Sequence, residues 1–197
     1  MKENIIEFSL SAHRKNLFNI TAFLNYSDAA FILYSPFLVA ARLNAYHFGL
    51  HGEYRFKNNL IMSAKYSYID VSDDKTGNQF QARLGKFFES DITAGYEYFF
   101  YTFDSQSLLY WSPNNFESHS IWANWILYKD EVVDFTIGGK LGLIPQNDYL
   151  VSEFNASFNY QIVNSLFLQL QYFTGSSFRS NTGYRSNSIQ ASFIWNL

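Results

Sequence analysis

Apolar and polar residues alternate along this chain with a period of two. In 187–197, Ile189, Ala191, Phe193, Trp195 and Leu197 share one parity, and Ser188, Gln190, Ser192 and Asn196 hold the other, with Ile194 the one apolar intruder. In 153–162, Phe154, Ala156, Phe158, Tyr160 and Ile162 alternate with Glu153, Asn155, Ser157, Asn159 and Gln161. The same parity orders 133–143 around Asp134, Thr136 and Lys140, and 46–56 around His47, His51, Glu53 and Arg55. Period two belongs to a strand whose two faces meet different surroundings. The pattern predicts strands near 4–13, 17–27, 44–56, 60–70, 78–87, 91–101, 116–128, 132–143, 150–162, 165–174 and 186–197. Most match the roughly 9–11 residues with which a tilted strand crosses a bilayer.

The expected links alternate in length. Short turns fall at 14–16, 57–59, 89–91, 129–131 and 163–165, and longer links at about 28–43, 70–78, 102–115, 144–149 and 174–185. Short periplasmic turns and long outer loops are the habit of an up-and-down outer-membrane barrel. By this alternation Leu197 lies at the periplasmic side and the first strand also runs downward. Bacterial barrels usually have even strand counts. Either a further strand lies near 28–43 or upstream strands are absent. A repeat favours the second: LeuTyrSerPro at 33–36 returns as TyrTrpSerPro at 110–113, each followed by a strand, a short turn, a strand, an outer loop, a strand and a short turn. Because Pro is tolerated at the first residues of a strand, both Ser-Pro pairs are expected where outer loops re-enter the wall.

Composition agrees with a wall between lipid and water. Aromatic residues make up 20% of 197 residues and charged residues only 16%, against roughly 25% charged in an ordinary soluble domain. Mean hydropathy is −0.15, so the apolar residues are finely interleaved with polar ones. The net charge of −3 comes without a basic tail or stripe, which argues against nucleic acid as a partner. The chain has no Cys, which excludes disulfides and Cys-based sites. No stretch approaches the length of a membrane helix, and the N-terminus lacks the apolar region of a signal peptide. Either a leader and an upstream region have been removed or the chain is a fragment.

Parity sorts the candidate functional residues. Tyr66, Tyr68, Tyr96, Tyr98, Phe100, Trp125, Tyr160, Tyr172 and Trp195 fall on the apolar face, as aromatic girdle residues would. The polar face carries His47, His51, Glu53, Arg55, Lys65, Arg83, Glu97, Lys140 and Glu153, the expected lumen lining. Their signs are mixed, and no ring of one charge writes strong ion selectivity into the sequence. Hydroxyls, amides and scattered aromatics suit sugars. His119-Ser120 invites an enzyme reading, but parity turns the two side chains to opposite faces, and a nucleophile needs its base within hydrogen-bond reach. His47 and His51 lie four residues apart on one strand, too far to share a metal. No catalytic, metal or cofactor site is expected.

Gln190, Ser192, Trp195 and Leu197 together resemble the assembly signal that ends bacterial outer-membrane proteins, although Phe is the usual last residue and Gly is commoner at the position of Ser192. That resemblance implies the barrel-assembly machinery as a partner. The repeated aromatic-Ser-Pro segment, with the C-terminal strand, resembles the barrel domain of exopolysaccharide export proteins of the cellulose-synthase operon C type over about 28–197. In those, periplasmic tetratricopeptide repeats precede a barrel of about 16 strands; these 197 residues contain no such helical repeat. Small YaiO-like outer-membrane barrels also fit the size.

The expectation is an all-β, transmembrane, antiparallel up-and-down barrel over 1–197, with about 11–12 strands present or as part of a larger barrel of about 16. It would lie in the bacterial outer membrane against lipid, as a pore passing or exporting polysaccharide. The alternatives are a structural or adhesive barrel with a plugged lumen and a lipid-modifying barrel enzyme.

Overall fold

A computed structural model describes residues 6–15, 17–33, 35–163, 165–179 and 182–195. Eleven strands follow one another: β1 (Ile6–Arg14), β2 (Phe18–Asp28), β3 (Asn44–Arg55), β4 (Leu60–Val71), β5 (Lys75–Phe87), β6 (Ile92–Phe103), β7 (Phe116–Lys129), β8 (Val133–Ile144), β9 (Tyr149–Val163), β10 (Leu166–Arg179) and β11 (Thr182–Trp195). They form one sheet in chain order, in which β1 to β4 and β7 to β11 pair antiparallel. Every strand read from the alternation is present.

The turns are set by residues that tolerate a left-handed backbone. Asn59, Asp74, Asp91, Asn115 and Asp148 have φ between 50° and 63°, where short polar side chains carry the least steric penalty. Between β7 and β8, Asp130 also ties the chain. Its Oδ1 accepts from the Val132 and Val133 amides at 2.7 and 2.6 Å, and its Oδ2 accepts from the Tyr128 hydroxyl at 2.6 Å.

Three expectations about the links are corrected. The segment 28–43 holds no strand but two short helices, α1 (Ala29–Leu33) and α2 (Pro36–Ala41). Ser35-Pro36 therefore opens a helix, not a strand. Pro at a first helical position loses nothing, since its missing N–H would have no helical partner. The link expected at 70–78 shrinks to three residues, because β4 and β5 extend to Val71 and from Lys75. The one expected at 174–185 is mostly β10 and β11. Short–long alternation in strict form thus fails, and only 29–43 and 104–115 are long. Leu197 and Tyr34 lie outside the described residues.

The chain forms two compact units, one of residues up to 84 with 98–118, the other of 85–97 with 119–197. In the first, both long links fold onto one end of the polar face. Ala29 and Leu38 pack with Ala45, Ile69, Val71, Tyr101, Phe103 and Tyr110, all at most 7% exposed. The Phe103 ring lies over Gly77, where an added Cβ would come within 2.7 Å of it. The two Ser of the repeated motif are both buried. The Ser35 hydroxyl donates to the Leu109 carbonyl at 2.6 Å, and the Ser107 amide donates to Ser112 Oγ at 2.5 Å. Tyr110 donates to Asp73 Oδ1 at 3.1 Å. In the second unit Ile144 is fully buried.

Candidate functional site

The two faces of the sheet have opposite character. On one, Ile6, Phe8, Leu10, Leu50, Met62, Leu84, Ile121, Leu141, Leu150, Phe193 and Trp195 are all exposed, Ile121 at 65% and Trp195 at 70%. On the other, Ser67, Glu97 and Ser120 are at most 3% exposed. A water-soluble sheet protein hides its apolar face and wets its polar one. Here the arrangement is inverted, as it must be where the apolar face meets hydrocarbon.

On the polar face of the first unit, His51 stands directly across from Lys65, and Glu53 across from Asn19 and Ser63. A cavity of about 390 Å³ opens there between β2, β3, β4 and β5, lined by Thr21, Phe23, His51, Lys65, Gln81 and Arg83 among others. Phe23 lies over Gly49, where an added Cβ would come within 2.2 Å of the ring, and meets His47 edge-on at 4.9 Å. Near the turn after β1 a second cavity, about 410 Å³, is lined by His13, Arg14, Lys15, Asn19, Glu53 and Arg55. Arg55 Nε pairs with Glu53 Oε1 at 3.1 Å.

The second unit uses paired charges and amides. Lys140 Nζ lies 3.1 Å from Glu97 Oε1 and 2.8 Å from Glu153 Oε1. Only 2% of the Glu97 side chain is exposed, so the ammonium offsets the cost of taking that carboxylate out of water. Gln169 donates to Asn159 at 2.9 Å and Gln190 to Ser192 at 3.3 Å. Trp195 is on the apolar face.

The nine charged or imidazole candidates therefore occupy the polar face but do not form one cluster. His51, Lys65 and Arg83 share the cavity between β2 and β5, Glu53 and Arg55 the one near the turn, and Glu97, Lys140 and Glu153 belong to an ion-paired group. His47 lies across from Asn25. His119 and Ser120 point to opposite faces: His119 Nδ1 meets the Tyr96 hydroxyl on the apolar side, while Ser120 is 3% exposed against Gly142 on the other. They do not form a nucleophile–base pair. Sequence reasoning missed Phe23, although its parity with Asn19, Thr21 and Asn25 marks it as an aromatic on the polar face. It missed Trp122 likewise, which shares parity with Ser118, Ser120 and Asn124 and whose ring lies over Gly85.

No family model matches the chain, and no curated protein matches it in sequence. Solved structures do match, and the class they define is the bacterial outer-membrane β-barrel. The chain thus has the all-β, antiparallel, up-and-down fold of these proteins. It is similar to a bacterial polysaccharide outer membrane secretin, with a TM-score of 0.76 at 7% identity, over 98% of this chain and 69% of that one. It is also similar to the NanC porin (TM-score 0.55, 13% identity, 98% and 93% covered) and to the KdgM porin in complex with disordered oligogalacturonate (0.51, 15%, 96% and 92%). The resemblance to polysaccharide export barrels read from the sequence is thereby met at the level of fold.

Proposed function

We propose that the chain is a bacterial outer-membrane pore that passes or exports polysaccharide along its polar face. The inverted burial carries this reading: the exposed apolar face, from Ile6 to Trp195, suits lipid, and the polar face then lines water. His47, His51, Glu53, Arg55, Lys65, Arg83, Glu97, Lys140 and Glu153 would line that lumen. The polysaccharide cargo is supported by the polar lining of hydroxyls, amides and aromatics and by the likeness to the polysaccharide secretin and to the KdgM porin in complex with oligogalacturonate. Gln190, Ser192, Trp195 and Leu197 would present the final strand to the barrel-assembly machinery. The test is single-channel conductance of refolded protein in planar bilayers, with and without oligosaccharides. Stable steps interrupted by sugar are expected; insertion without conductance would overturn the pore.

A second reading, a structural or adhesive barrel with a plugged lumen, is favoured by one observation. The apolar cluster of α1, α2 and 104–115 covers one end of the polar face in the first unit. This reading expects insertion without conductance, and conductance that appears when the cluster is loosened.

A further inference from the structure

We infer that the apolar face of β2, β3 and β4 holds one anionic phospholipid, with an acyl chain in a groove over Gly52 and the headgroup phosphate at Arg14, Lys15 and Lys57. The inference goes beyond the pore reading and is independent of what the polar face passes. That apolar face carries a groove of about 370 Å³, lined by Phe18, Ile20, Gly52, Tyr54, Met62 and Ala64. Glu53 borders it too, but its carboxylate is bonded to Arg55, and its parity is that of the polar face. Register makes the groove. Arg14, Phe18, Tyr54 and Met62 stand side by side across β1 to β4. Two residues further along each strand, Ala12, Ile20, Gly52 and Ala64 form the next row on the same face, and Leu10, Ala22, Leu50 and Tyr66 the row after. The wall is therefore lowest at Gly52 and Ala64, with Tyr54 and Met62 on one side and Leu50 and Tyr66 on the other. Gly52 is not there for backbone freedom, since no described glycine has a positive φ. Nor does it make room for a neighbour: an added Cβ would meet nothing within 4 Å. At Gly49, Gly77, Gly138 and Gly142 it would strike a side chain at 2.1 to 2.7 Å. A dent left in a wall that meets hydrocarbon is filled by hydrocarbon, because an empty one forfeits dispersion contacts.

The rim of the groove selects the headgroup. The groove lies at the end of the short turns after β1 and β3, away from the long link 29–43, which makes it the periplasmic end, where the leaflet is phospholipid. The Tyr54 and Phe56 rings, packed edge-on at 4.7 Å, sit at that end, as rings at headgroup level do. The free charge there has one sign. Arg14 stands directly across from Phe18 at the mouth of the groove, and Lys15 and Lys57 follow in the two turns. All three are exposed, and none has an ion-pair partner among the described residues. Glu53 is the one carboxylate in 12–20 and 52–64. Lys and Arg at the membrane surface attract anionic lipid, and both bind phosphate through charge-assisted hydrogen bonds. A second copy of the chain docked here about a two-fold axis would set these cations against their own equivalents. A phospholipid with net negative charge matches both the groove and its rim.

The test is native mass spectrometry of the refolded, delipidated chain released from detergent micelles. The probes are dioleoyl phosphatidylglycerol, dioleoyl phosphatidylcholine and a short-chain dihexanoyl phosphatidylglycerol. One dioleoyl phosphatidylglycerol is expected to bind roughly tenfold more tightly than the zwitterionic lipid, and more weakly as salt is added. Arg14→Gln and Lys57→Gln should each weaken the anionic lipid about fivefold, the scale of one cation at a charged lipid surface, and leave the zwitterionic one unchanged. Gly52→Leu fills the groove and should weaken both dioleoyl lipids roughly tenfold, as the loss of two buried methylenes would. Gly52→Ala should fall between it and the parent, and Ala156→Leu, on the apolar face of β9, should match the parent. Equal binding of the two dioleoyl lipids, or Gly52→Leu binding like the parent, would overturn the inference. So would the short-chain lipid binding as tightly as the long one, which would mark a bare headgroup site. A dimer mass that Gly52→Leu abolishes would do the same, by giving the groove to a second copy. Lipid binding needs no open channel, so conductance judges the pore and these titrations judge the groove separately.

Discussion

Truncating Leu38 should release the loop cluster without unfolding the sheet. Leu38 is fully buried in α2, and its carbonyl accepts the Arg42 amide at 3.0 Å. Its cluster partners Ala29, Ala45, Ile69 and Val71 are each at most 3% exposed. Leu→Ala at such a site costs about 2–5 kcal/mol. The loss falls on the closed form of 29–43, because Ala45, Ile69 and Val71 belong to strands held by their own ladders. Even about 2 kcal/mol raises the population of the open loop roughly 30-fold. Trypsin reports that population at Arg42, which sits at the end of α2 with φ 53°, provided that reclosing outruns cleavage. Leu38→Ala should therefore yield the fragment ending at Arg42 roughly 30-fold faster or more. Phe37→Ala, at a neighbouring residue 67% exposed, should stay near the parent rate, as surface changes usually do. Equal rates for the two variants would refute the claim that this cluster closes the loop.

Three further outcomes are expected. Lys140→Met leaves Glu97 buried without its ammonium and should lower stability by about 3–5 kcal/mol in denaturant unfolding from bilayers, with Glu97→Gln recovering part of the loss; an unchanged midpoint would remove the ion pair from the account. Burial and the nearby Asp73 charge raise the pKa of Tyr110 in the loop. The closed loop then keeps a proton that an open one gives up near the ordinary value of about 10, so closure weakens as pH rises past that point. An ultraviolet difference titration of parent against Tyr110→Phe should contain one phenol ionising above the ordinary range, and ionisation with free tyrosine would contradict it. Hydrogen bonds from Tyr128 and from the Val133 and Val132 amides lower the pKa of Asp130, so its hold on the turn is present above the ordinary carboxylate range and is lost as pH falls through the depressed value. Asp130→Ala should speed hydrogen exchange at Val132 and Val133; exchange equal to the parent's would count against the cap.

The strands were legible because a wall between two solvents enforces strict parity. A one-residue slip in β9 would move Phe154, Phe158 and Tyr160 to the polar side and Asn155 and Asn159 to the apolar one. The helices in 28–43 were not legible. That segment is apolar throughout, from Phe31 to Val39 apart from Tyr34, Ser35 and Pro36, and a short apolar run carries no period to separate helix from strand. The lengths of β5, β10 and β11 were missed at their polar ends. Lys75, Thr76 and Gly77, or Ser176 and Ser177, read as loop by composition, yet cross-strand hydrogen bonding extends the ladder, as from Ser176 to Ser152. The face of each charged residue followed from parity, but the company it keeps did not. Which cations share a cavity depends on the register between neighbouring strands, and that brought Lys65 and Arg83 to one cavity.

The central claim is that alternate residues of each strand face lipid and water. With no native Cys, single cysteines along β9 can each carry an environment-sensitive fluorophore in refolded, vesicle-inserted protein. The account predicts that probes at Phe154→Cys and Ala156→Cys are quenched by brominated lipid, and those at Asn155→Cys and Ser157→Cys by aqueous iodide. Iodide quenching at all four positions, or the opposite alternation, would contradict it.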